Sequence, residues 1–145
     1  MCFDSLGMPH VTYQMIEISG PGEGDSHSYL RVAVREQNSW AIEELDADFY
    51  DYEEEGQSRG GWTGRFPSIE CNPSDTLGVS YLRLYDGDPN IHVEYRDRQD
   101  GAWLTPLTVT DSAGSESHDL AFNVEGNPTL AFIDPLDELV FADWE

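Results

Sequence analysis

Hydrophobic and polar residues alternate with a period of two along most of this chain. YLRVAVR (29–35), IHVEYR (91–96) and LVFADW (139–144) each alternate, and so do WAIEELD (40–46) and WLTPLTVT (103–110). Runs of four to eight residues with this period, bounded by Gly, Pro, Asn and Asp, mark half-buried strands. The runs are filled with β-branched and aromatic residues, which suit a pleated surface. No segment of eight or more residues combines a 3.6 period with caps, so the pattern predicts essentially no helix.

The alternating runs recur in order. CFDSLGMPHVTY (2–13) aligns without a gap on AFNVEGNPTLAF (121–132): a short strand, a turn centred on Gly7 or Gly126, a Pro at Pro9 or Pro128, and a second strand ending in an aromatic. A third copy, CNPSDTLGVSY (71–81), is one residue shorter, and its Gly78 is read as the turn glycine. Each copy is followed by an alternating strand, a turn and a Trp, and Trp40 and Trp103 open a further strand. The interval from Tyr13 to Tyr81 is longer than that from Tyr81 to Phe132 because of two insertions, residues 19–28 and residues 47–64. Without them the period is roughly 45–50 residues, the length of a four-stranded unit.

The pattern of LAFN (120–123), GNP (126–128) and LVFA (139–142), with a later Trp, resembles bacterial β-propeller repeats of large secreted and surface proteins. The resemblance implies an all-β, propeller-like array of four-stranded antiparallel blades. Residues 1–145 would form a single domain of two complete blades plus a partial one. A closed propeller needs at least four blades, so the array would be completed by oligomerisation or by a longer chain, since unfinished edges are templates for pairing. It also implies an extracellular or cell-surface protein. The chain itself lacks a signal peptide, which leaves the cytoplasm open as well.

Charge narrows the choice of partners. The chain has 29 Asp and Glu against 7 basic residues, a formal net charge of −22, and every basic residue is Arg. Phosphate-rich partners need clustered cations, so nucleic acid and anionic membrane surfaces are poor partners. Self-repulsion of this size calls for surroundings rich in salt or divalent cations. No apolar run is long enough to span a membrane as a helix, so membrane insertion is not expected. Cys2 and Cys71 allow one disulfide at most. Matched positions in separate repeats stand too far apart for a bridge, so buried free thiols are expected.

Candidate chemistry is sparse. Trp40 and Trp103, at equivalent positions, are expected to pack between blades, whereas Trp62 lies in the second insertion among Arg59, Gly60, Gly61, Gly64 and Arg65. An aromatic beside Arg on a Gly-rich segment suits a glycan or protein contact, and the bland alternative is that Trp62 tucks the insertion onto the blade. Asp46, Asp48, Asp51, Glu53, Glu54 and Glu55 offer oxygen ligands for Ca²⁺ but lack the spacing of a calcium loop, so a solvated acidic loop is preferred. Residues 86–89, DGDP, read as a turn. His10, His27, His92 and His118 show no metal spacing; His10 and His92 sit in alternating strands, where a hydrogen-bonded His is commoner than a ligand.

No catalytic constellation is recognisable: there is no Gly-x-Ser-x-Gly and no Cys placed beside a His. Arg31, Arg83 and Arg96 fall in strands of different modules, as a sialidase-like site would need, but the turn typical of that group is absent. The sequence therefore points to non-catalytic recognition of a carbohydrate or a protein, with Trp62, Arg59 and Arg65 as contacts and no cofactor beyond a weak case for Ca²⁺ at Asp46, Asp48 and Asp51. A purely structural, self-assembling segment is the rival, and a sialidase-like glycoside hydrolase ranks third.

Overall fold

A computed structural model describes residues 1–18, 26–52, 58–114 and 117–143, with side chains left out at 50–52, 58 and 59. Among these residues all regular structure is strand. The elements are β1 (Cys2–Phe3), β2 (Pro9–Ile18), β3 (Ser26–Glu36), β4 (Ser39–Tyr52), β5 (Ser58–Gly60), β6 (Trp62–Cys71), β7 (Leu77–Leu84), β8 (Ile91–Gln99), β9 (Ala102–Trp103), β10 (Leu107–Thr110), β11 (His118–Phe122), β12 (Pro128–Ile133) and β13 (Leu139–Asp143). They form three antiparallel sheets: sheet I in the order β1-β2-β3-β4-β5, sheet II in the order β10-β8-β7-β6 with β9 added to β8, and sheet III in the order β11-β12-β13. The all-β expectation is met.

One local device starts every sheet. Asp4, Asn72 and Asn123 each open a five-residue turn. The side-chain Oδ1 accepts the backbone N–H groups two and four residues on, and the main chain closes between the first and fourth and the first and fifth residues. Asp134 builds a fourth copy between β12 and β13. Asn and Asp suit the opening position because a short side-chain oxygen can replace a backbone acceptor. The fourth residue is left-handed in all four: Gly7 at φ 74°, Asp75 at 62°, Gly126 at 90° and Asp137 at 66°. Asp tolerates that region better than most non-glycine residues. The turn of the second repeat therefore centres on Asp75, and the expectation for Gly78 is corrected. Gly78 lies within β7, where a Cβ would come within 2.7 Å of Phe122 and 3.1 Å of Tyr95.

The sheets stack face to face in chain order. Leu30, Val32 and Leu45 of sheet I interlock with Ile69, Leu77, Val79 and Tyr81 of sheet II. On the other face of sheet II, Leu82, Val93 and Tyr95 meet Leu120, Leu130 and Phe132 of sheet III. Burying both faces of sheet II explains why β7 is buried without a break from Leu77 to Leu82, with the small Gly78 and Ser80 among the apolar residues.

Cys2 and Cys71 are disulfide-bonded, with Cα atoms 5.7 Å apart. The expectation of two free thiols is overturned. Counting from the turns, Cys71 precedes Asn72 directly, whereas Cys2 stands one residue further from Asp4. Side chains alternate faces along a strand, so this one-step offset turns Cys2 toward sheet II and Cys71 back toward sheet I. Equal register would have pointed both the same way round the stack.

Candidate functional site

Among the described strands β6 is the least regular, and its irregularity lies near its start. Its pairing with β7 breaks register between Trp62 and Arg65 and again between Arg65 and Ser68. Bulges of this kind bend a strand and re-aim its side chains. Gly64 is left-handed, at φ 76°, and a Cβ there would come within 3.0 Å of both Cα and Cβ of Leu30. Gly61 leaves room for the Leu84 carbonyl oxygen and the Asp48 carboxylate, which a Cβ would meet at 2.3 and 2.6 Å. These glycines let the segment cross sheet I at close range.

Thr63 anchors the crossing. Its N–H donates to Ser28 Oγ at 2.9 Å, its carbonyl accepts from Gln14 Nε2 at 2.9 Å, and its hydroxyl donates to Asp46 Oδ2 at 2.8 Å. With Thr63 pinned, the following residues turn outward. Phe66 has φ 48°, an unfavourable region for a bulky residue, and half of its surface is open to solvent. The Arg65 guanidinium lies 4.8 Å from the centre of the Trp62 ring and 5.3 Å from that of Phe66. Trp62 also packs on the core between sheets II and III, so the indole fastens the segment as well as carrying Arg65. Together with Gln14, Ile16, Ser26, Ser28 and Pro67, these side chains line a cavity of about 660 Å³.

The structure thus brings together Trp62 and Arg65, two of the three residues singled out by sequence, and adds Phe66, Gln14 and Ser28. Arg59 has its backbone in β5, while its side chain, like that of Asp51, lies outside the described residues, as do Glu53, Glu54 and Glu55. The segment expected as an acidic loop continues β4 as far as Tyr52. Asp46 and Asp48 point into the gap between sheets I and II, where Arg83 bonds both carboxylates. Tyr81 donates to Asp46 at 3.0 Å, and burial together with that carboxylate pushes the Tyr81 phenol far up. Among the described residues no group of three or more His, Cys, Asp or Glu side chains is placed to hold a metal ion.

Arg83, Tyr81 and Asp46 are the residue types a sialidase-like site would use, but Tyr81 is fully buried. This cluster ties two sheets together. Arg31 pairs with Glu44 on the outer face of sheet I, and Arg96 bonds the carbonyls of Leu45 and Leu104. Three histidines have evident partners: His10 lies 3.4 Å from Asp4, His92 lies 2.9 Å from Asp88, and His27 packs on Tyr29 and Phe49. Compared with family models, with curated proteins and with solved structures, the chain has no match, so its chemistry is read from its own geometry.

Proposed function

We propose that this chain is a non-catalytic recognition module, in which a propeller-like scaffold presents Trp62, Arg65 and Phe66 to a carbohydrate. The observation that carries the reading is Phe66. A half-exposed aromatic in a left-handed backbone conformation, beside an Arg stacked on two rings, is costly to fold and is held in place by Thr63. Strain kept at a surface cavity is characteristic of binding sites. Aromatic faces stack against the C–H faces of sugars, while the Arg65 guanidinium and the Ser26 hydroxyl at the same cavity suit hydroxyl groups. A net charge of −22 favours neutral or cationic glycans over sialylated or uronic ones.

The disulfide supports an extracellular or cell-surface setting, where thiols stay oxidised. Glycan-array screening followed by calorimetric titration tests the reading. The native protein should bind neutral glycans, with affinity falling at least tenfold in Phe66→Ala and Arg65→Ala while thermal stability is kept. Absence of any glycan binding by the native protein would sink it.

A second reading, a structural segment that assembles through its sheets, is favoured by a different observation. The outer faces of sheets I and III carry exposed Trp40, Ile42, Leu139 and Phe141.

A further inference from the structure

The two outer faces are the two halves of a contact the chain already makes twice. Counting from the opening residue of each turn, Tyr13, Tyr81 and Phe132 occupy one position. Tyr81 and Phe132 are buried against the preceding sheet. Tyr13 shares that orientation, because its neighbour Gln14 reaches Thr63 on the opposite side, but within the chain sheet I has no predecessor. Trp103 packs against the core between sheets I and II and donates to Glu43 of sheet I at 2.7 Å. Its equivalent Trp40 lies on the outer face, 44% exposed, with Arg35 over its ring just as Arg98 lies over Trp103.

The far end shows the complementary half. Strand pairing puts Val32, Tyr95 and Phe141 in one equivalent position, and Leu30, Val93 and Leu139 in another. The first two of each set face the following sheet and are at most 7% exposed, whereas Phe141 and Leu139 are 62% and 59% exposed. Sheet III therefore offers the side chains that a following sheet should cover, and sheet I offers the face that should cover them. Arg35 lies on the outer face of sheet I, where Arg31 is already paired with Glu44, and Asp143 lies on that of sheet III.

We infer that sheet III of one chain stacks on sheet I of a second copy, through Phe141 and Leu139 against the face carrying Tyr13, Trp40 and Ile42. This inference rests on the propeller-like reading of the scaffold and not on carbohydrate binding. Closed propellers typically have about four to eight blades, and with three sheets per chain six is the only multiple of three in that span. Two copies thus complete the ring, each supplying both faces around a twofold axis. Because each chain carries −22, the dimer should strengthen as salt screens that repulsion.

Light scattering of the whole chain across protein and salt concentration tests the inference. The expected result is a mass twice that of one chain, with the dimer fraction rising with salt. Phe141→Glu and Ile42→Glu, both at exposed positions, should each yield a folded monomer, and Val124→Glu, in an exposed turn, should leave the dimer unchanged. Mixing the two monomeric variants leaves one of the two contacts free of substitution, so part of the dimer should return. A monomer at every salt concentration, an open ladder of larger species, or a dimer indifferent to both substitutions would overturn the inference. A monomer that still binds glycan would overturn it while leaving the proposed recognition site standing.

Discussion

Cys2 and Cys71 bind the first sheet to the second through a disulfide between residues one register step apart in their repeats. The bond closes a loop of sequence separation 69, which includes every strand of sheet I and β6. In the loop-entropy account a closure of this length stabilises the folded state by about 4 kcal/mol. Reduction, or the paired Cys2→Ser and Cys71→Ser substitutions, should lower unfolding free energy by about 2–4 kcal/mol. Denaturant titration with and without reductant checks this, and coincident curves would refute it.

Asp46 should be the most sensitive polar residue between sheets I and II. Its Oδ2 accepts from Thr63, Tyr81 and Arg83, and Arg83 is largely buried. Asp46→Ala leaves the phenol without its acceptor and the guanidinium with only the longer bond to Asp48, and breaking a buried pair in this way costs about 3–5 kcal/mol. Urea unfolding of this variant should show the loss, with a smaller one in Asp48→Ala, whose bond to Arg83 is the longer, at 3.2 Å.

Gly64 and Gly87 separate two costs. Both are left-handed, at φ 76° and 77°, but a Cβ at Gly64 would meet Leu30 at 3.0 Å whereas one at Gly87 meets nothing within 4 Å. Gly87→Ala should therefore cost only the backbone term, about 1–2 kcal/mol. Gly64→Ala adds a clash with Leu30 and should cost more, and it should also weaken the proposed glycan binding by displacing Phe66. Equal destabilisation would show that the Leu30 contact does not matter.

Burial holds the His118 imidazole below its ordinary value of 6.5, against a smaller opposing pull from the Ser80 backbone. Below about 6.5 the unfolded chain takes up a proton that the folded chain refuses, so stability is full above that pH and falls as pH drops through the folded value. Thermal unfolding between pH 7 and 5 should show a decline that His118→Gln reduces. An identical decline in the variant would assign it to other groups.

Much of the fold was legible in residue spacing, and its failures have definite causes. The alternation and the repeated aromatic at Tyr13, Tyr81 and Phe132 located the strand that follows the opening turn in each sheet, β2, β7 and β12. The turns opened by Asn72 and Asp134 escaped notice because aspartates, Asp75 and Asp137, fill the place that Gly7 and Gly126 take elsewhere. That substitution shifted the alignment of the second repeat by one residue, and the same shift hid the disulfide. At the candidate site, Trp62 and Arg65 stood out because neither alternation nor repeat explained them. Phe66 did not, since its exposure follows from two breaks in register that no local pattern records, and Gln14 and Ser28 reach the site only through the packing of sheet I on β6.

The turns also determine how a protein of this kind can change in length. Each is closed by bonds among its own five residues, and neighbours join only lightly, through Ser5 to Asp75 and through Asn72 to the Gly126 carbonyl. Whole units can be duplicated or lost at these joints while every remaining turn keeps its internal geometry. A single residue inserted within a strand has no such freedom, because it exchanges the two faces of everything beyond it. Growth by entire sheets is therefore the change in length that disturbs the least geometry, and the offset cysteine pair fastens one such joint covalently.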